Sequence, residues 1–149
     1  MKRFQHQFRV HATQEAVAQF HGDVRVLKLL TPPPMLMKFN KVEPLHENAQ
    51  VDFTIWVGPL PIHWVARHSN LNPPDGFTDI QITGPFKDWI HQHTFKRIDA
   101  EVTEIIDEVR ATPSNHIVWG IVSRIMWFSL PLLFAYRQWK TKRILESRK

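Results

Sequence analysis

Residues 84–95 read Gly84-Pro85-Phe86-Lys87-Asp88-Trp89-Ile90-His91-Gln92-His93-Thr94-Phe95, and the period of this run decides the architecture. Gly84-Pro85 is turn chemistry. Beyond it Trp89, His91, His93 and Phe95 take every second position, opposite Ile90, Gln92 and Thr94, which is the period of a strand. The face that carries two aromatic rings also carries two imidazoles, so the strand is at once scaffold and candidate site.

Similar strands lie on either side. Phe77 to Thr83 leads into the Gly84-Pro85 turn. Before it, Ile62, Trp64, Ala66 and His68 alternate with polar or smaller residues and end at Asn72-Pro73-Pro74-Asp75-Gly76. Val51, Phe53, Ile55 and Val57 alternate up to the turn Gly58-Pro59, and Met35 to Val42 is a further strand-like run. Downstream, Val102 to Thr112 forms the last strand before Pro113. At the start of the chain Phe4, His6, Phe8 and Val10 alternate with polar residues. Thr13 then reads as a helix N-cap, with Glu15 in the first turn and Ala16, Val17 and Phe20 as a short apolar stripe broken by His21-Gly22. A second short helix is expected from Asp23 to Leu30, stopped by Thr31-Pro32-Pro33-Pro34.

From Ser114 the pattern is helical. Ser129 and Pro131 read as the cap and first turn of a new helix, which splits the segment into helices at about 116–128 and 130–147. In the second, Leu132, Leu133, Tyr136, Trp139 and Lys140 recur at helical spacing and are expected to pack on the sheet. Ile117 to Tyr136 has the length of a membrane span, but Arg124 and Pro131 argue against spanning. The fold class expected is α+β. A curved antiparallel sheet of about seven strands wraps a long C-terminal helix, with two short helices after the first strand.

Composition narrows the function. The chain has 149 residues, no cysteine, 43% hydrophobic residues and a formal net charge of +5. Its size suits one domain over 1–149. The absence of cysteine excludes disulfides, thiolate metal sites and a cysteine nucleophile. Residues 1–136 carry 13 basic and 13 acidic residues, so the whole excess sits in Arg137, Lys140, Lys142, Arg143, Arg148 and Lys149 against Glu146. A protein with a neutral body is not expected to bind nucleic acid. The basic end suits either a solvated helix terminus or contact with an anionic membrane through Arg137, Lys140, Lys142 and Arg143. Lys2, Arg3, Gln5, His6 and Gln7 interrupt any signal-peptide core, so a cytoplasmic location is the expectation.

The run at 84–95, together with Leu30-Thr31-Pro32-Pro33, Asp107, Pro113 and Phe134-Ala135-Tyr136-Arg137, resembles the START-like (SRPBCC) helix-grip superfamily, most closely its bacterial cyclase/dehydrase-like branch. The loops Ile98-Asp99-Ala100-Glu101 and Pro113-Ser114-Asn115-His116 depart from the glycines usual there. The resemblance implies a cavity between sheet and helix for a lipid-, polyketide- or isoprenoid-like ligand. A minority of such proteins catalyse cyclisation or dehydration.

Strand spacing sets His91 and His93 on one face, roughly 7 Å apart along the strand. A Zn²⁺ site would need a third ligand, for which His68 or Asp107 are candidates, yet the residues suit a partly wet cavity better and no metal or cofactor is expected. With a three-residue turn at Asp99-Ala100-Glu101, Asp107 faces His93; with a two-residue turn it faces away. An inward His–Asp pair could orient a general base, which makes His91, His93 and Asp107 the catalytic candidates. Asp79 and Gln81 are expected on a solvated face. The ligand-binding residues expected are Trp64, Trp89, His91, His93, Phe95, Asp107 and Tyr136. The very apolar first helix (Trp119, Ile125, Trp127, Phe128) could form a lid, touch lipid or make a homodimer; otherwise the protein is a monomer.

Overall fold

A computed structural model describes residues 1–147; Arg148 and Lys149 of the basic end lie outside the described residues. Chain order is β1 (Lys2–Val10), α1 (Gln14–Gly22), α2 (Val26–Leu29), β2 (Leu36–Val42), β3 (Gln50–Val57), β4 (Leu60–Asn72), β5 (Gly76–Thr83), β6 (Phe86–Arg97), β7 (Thr103–Pro113) and α3 (Ile117–Glu146). The seven strands form one antiparallel sheet in the order β1-β7-β6-β5-β4-β3-β2. Strands β2 to β7 therefore follow one another as a meander, and β1 closes on the last of them. The inner face of this sheet holds α3, which gives the helix-grip architecture.

Local chemistry explains most boundaries. The Thr13 side chain accepts a hydrogen bond from the Ala16 amide, which caps α1. The second helix is shorter than expected because Asp23 does not act as a simple cap. Its carboxylate binds both the amide and the guanidinium of Arg25, holding residues 23–25 in a turn. Gly76 opens β5 at φ +148, where a Cβ would collide with the carbonyl oxygen of His93 on the neighbouring strand.

The C-terminal segment is one helix of 30 residues rather than two. Pro131 sits inside it, and the Ser129 hydroxyl donates back to the Met126 carbonyl instead of capping a new start. The buried face is only partly the one expected: Leu133 does pack on the core and line the cavity. That face carries Gly120, Ser123, Leu130, Phe134, Thr141 and Leu145, whereas Leu132 and Trp139 point outward. The helix is apolar nearly all round, so its pattern alone does not choose a face. Small residues choose it: at Gly120 a Cβ would press on the Ser114 carbonyl, and Ser123 accepts from the Ser114 amide. His116 caps the start, accepting from the amides of Val118 and Trp119.

Two apolar clusters build the core. One joins Val10, Val17, Phe20, Phe77, Phe95, Ile105 and Leu145; the other joins Val51, Phe53, Trp64, Phe86, Val109, Leu130 and Phe134. A polar cluster separates them, and it is laid down by strand register. Directly opposite residues in an antiparallel sheet share a face. One row runs His68–Asp79–His91–Val109–Phe4, and the next runs Phe77–His93–Asp107–His6.

Candidate ligand-binding cavity

A cavity of about 230 Å³ lies between the sheet and α3. Its upper wall is apolar, including Leu27, Met37, Phe53, Trp64, Trp89 and Leu133. Trp64 and Trp89 meet edge-to-face at 5.2 Å, and Phe53 stacks on Trp64 at 6.1 Å. Its floor is polar: His21, His68, Asp79, His91, His93, Asp107, Arg137 and Thr141.

The floor is a continuous network. His91 donates from Nε2 to Asp107 Oδ1 at 2.8 Å, and His93 donates from Nε2 to Asp79 Oδ2 at 2.7 Å. His93 Nδ1 lies 3.4 Å from Asp107 Oδ1, so this imidazole stands between two carboxylates. His68 Nε2 is 2.9 Å from Asp79 Oδ1 but is not aligned as a hydrogen bond. The rings of His91 and His93 lean together and stack at 3.9 Å, closer than their backbone spacing suggests. Phe77 stacks on the other face of His93 at 4.3 Å, and Phe134 meets His91 edge-on at 5.5 Å.

These positions sort the protons. Burial opposes charge on His93, but hydrogen bonds to Asp107 and Asp79 and their negative charges outweigh it and raise its pKa to about 9. Burial lowers the pKa of His91, helped by the neighbouring His93 charge, so His91 is the neutral partner. Burial and His93 likewise press His21 down to about 4, where Nδ1 donates to the Val17 carbonyl. Burial would raise Asp79 and Asp107, yet the histidine hydrogen bonds hold both well below the usual carboxylate range. Asp79 keeps 23% of its side-chain surface accessible and is part of the cavity lining. Burial lowers Arg137, while Asp107 and Asp79 support its charge. At neutral pH Asp79 and Asp107 are anions, and His93 and Arg137 are cations.

Arg137 is one of several incompletely satisfied members, with His68 Nδ1 and Asp79 Oδ1. Its guanidinium lies 5.3 Å from the Phe134 ring, and its Nε is buried without a hydrogen-bond partner. One ligand atom each of Asp79, His91 and His93 lies within 4.8 Å of the others. The donor set would suit a transition metal, but His91 Nε2, His93 Nε2 and Asp79 Oδ2 already make hydrogen bonds, and His93 would first have to lose a proton.

Of the residues read from the sequence, Trp64, Trp89, His91, His93 and Asp107 line the cavity. Phe95 does not: it is packed in the apolar cluster below, against His21 and Phe77. Tyr136 is also displaced, because α3 turns it away from the cavity to lie against Trp139, the tilted rings 5.9 Å apart. Asp79 points inward, contrary to the solvated face expected for it. Arg137 faces the cavity and not the outer surface with Lys140, Lys142 and Arg143. His21 was not singled out, since nothing in a helix-ending His-Gly marks a cavity residue.

The architecture is shared with solved structures. This is the START-like helix-grip fold. A START superfamily protein from Mycobacterium smegmatis superposes with a TM-score of 0.71 at 8% identity, covering 99% of each chain. A Streptomyces aromatase/cyclase gives 0.68 at 19% identity, covering 96% of this chain and 95% of its own. Norcoclaurine synthase from Thalictrum flavum, in complex with dopamine and hydroxybenzaldehyde, gives 0.70 at 13% identity, covering 99% and 88%. No protein-family model and no curated protein matches the chain.

Proposed function

We propose that the protein binds a small amphipathic ligand in this cavity, with the apolar part against Trp64 and Trp89 and an acidic or hydrogen-bond-accepting end on the floor. The observation that carries the reading is an apolar chamber whose polar floor, with Arg137 in its lining, holds buried polar atoms without partners, among them Arg137 Nε, His68 Nδ1 and Asp79 Oδ1. A buried donor without a partner is costly, on the order of 1–3 kcal/mol, and a ligand oxygen there removes the cost. The cavity volume of about 230 Å³ falls below the roughly 300–1,000 Å³ usual for ligand pockets, which favours a compact lipid-, polyketide- or isoprenoid-like molecule.

The test is native mass spectrometry of protein purified from cells, joined to titration with anilinonaphthalene sulfonate, an apolar dye with an acidic group. A stoichiometric adduct, or dye binding weakened about tenfold by Arg137→Met, supports the reading. Absence of any adduct together with dye affinity unchanged by Ala66→Phe, which fills the cavity, would overturn it.

One observation favours a second reading, a cyclase/dehydratase-type enzyme. His91 neutral and His93 charged, 3.9 Å apart, place a base beside an acid on the cavity floor. The Streptomyces and Thalictrum proteins, an aromatase/cyclase and a synthase, have this fold. A turnover assay on a poly-β-ketone should then show a rate lost in His91→Phe; binding without turnover would reject catalysis.

A further inference from the structure

The outer face of α3 is unlike the rest of the surface. Ile117 is 83% exposed, Leu132 77% and Phe128 75%, and Ile121, Ile125 and Trp139 share the same stripe. With Val118 and Ala135 the positions step by three and four along the whole helix. The helix is long and apolar enough to cross a membrane, but only 22% of its most apolar stretch is buried. Crossing is excluded by its other side, where Leu130, Phe134 and Leu145 are core and Arg137 completes the cavity floor. What remains is a helix lying flat, with one face in the protein and the other uncovered.

We propose that this stripe docks on an anionic lipid bilayer, with α3 parallel to the membrane plane. Charge selects that occupant. Among the described residues, the charged groups that lie over the aromatic rings of the stripe are cations: Lys2 Nζ lies 5.4 Å from the Phe128 ring, and Lys140 Nζ and Arg143 Cζ lie 5.9 and 5.3 Å from the Trp139 ring. The helix has one acid, Glu146, and it is turned away, accepting from the His11 amide. A second copy of this chain could match the three-and-four spacing, but it would bring cations against cations with no acid to pair them. A bilayer carrying anionic headgroups answers both features, taking the apolar stripe between headgroups and the cations at their level. Trp139, with Tyr136 beside it, is the kind of residue found at that depth. This docking does not depend on the cavity holding a ligand.

The experiment is sedimentation of the full chain with vesicles of phosphatidylcholine, with and without phosphatidylserine, at low and high salt. Binding should need phosphatidylserine and fall with salt. Phe128→Asp with Leu132→Asp should weaken it by at least tenfold, on the order of tenfold for each apolar side chain withheld from lipid. Lys140→Glu with Arg143→Glu should weaken it roughly fivefold per cation at low salt. Both pairs are on the surface, and an unchanged thermal melt checks their fold. No binding at low salt, or equal binding by the Phe128/Leu132 variant, overturns the proposal. So does light scattering that shows a dimer dissolved by those substitutions, since a second copy then covers the stripe.

Discussion

Raising the pH from about 6 to about 9.5 should cost the fold about 3 kcal/mol through His93 alone. The imidazole moves from an ordinary 6.5 to about 9 because Asp107 and Asp79 hold its charged form against the cost of burial. Each tenfold change in acidity corresponds to about 1.4 kcal/mol, so the difference is worth about 3 kcal/mol. His93 is 9% exposed, which leaves little solvent to screen the carboxylates. The folded form binds the proton more tightly than the unfolded one. Its contribution is therefore complete below about pH 6.5, declines as pH rises toward 9, and is gone above. A domain stable by roughly 5–15 kcal/mol would feel that loss clearly. Urea unfolding at several pH values measures it, with His93→Gln as the control that cannot titrate. The wild type should lose stability over this range while the variant stays nearly flat. Equal slopes in the two proteins, or a His93 ring resonance titrating at or below 6.5, would refute the reasoning.

The acid side should behave in the opposite sense. His91 and His21 have lowered pKa values, His21 to about 4, so the unfolded chain takes up protons first and stability falls between about pH 6.5 and 4; His21→Phe should flatten part of that limb in urea titrations. Asp79 and Asp107 add their own loss from the ordinary carboxylate range downward, because the unfolded chain protonates there while their folded forms stay ionised to lower pH. Phe134→Ala should destabilise by about 3–5 kcal/mol, read as a lower urea midpoint with an unchanged slope, since this 2% exposed ring packs on Phe4 and His91. Gly76→Ala should abolish folding or lower the melting temperature by many degrees, because its Cβ meets backbone of the adjacent strand; a variant that melts within a degree or two of the wild type would show that β5 can shift.

The strands were legible because alternation reports burial directly, and the pairing of His93 with Asp107 followed from one turn length. Asp79 was not legible for a related reason. Strands β5 and β6 pair about Pro85, which sets Asp79 opposite His91. Centring the same hairpin between Gly84 and Pro85 would set it opposite Ile90 and turn it outward, and sequence does not settle a one-residue slip. Helix α3 misled more seriously. Its inner face mixes Gly120, Ser123, Arg137 and Thr141 with Leu130, Phe134 and Leu145, and its outer face is as apolar, so periodicity alone does not pick the side. Arg137 was read with the basic end for the same reason. Tyr136 and Phe95 were assigned to the cavity by spacing, whereas helix rotation and depth in the sheet decide their places.

Strand order also bears on how the chain assembles as it is made. Strands β2 to β7 can zip together one after another, each beside the strand just completed. The first strand cannot. Its partner is the last, with Arg3 joined to Glu108 across 105 residues of sequence. Until β7 leaves the ribosome, β1 must wait with Phe4, Phe8 and Val10 uncovered, and closing so long a loop is slow. Alternating Arg3, Gln5, Gln7 and Arg9 keep that waiting segment from being uniformly apolar, which guards it against pairing with other nascent chains.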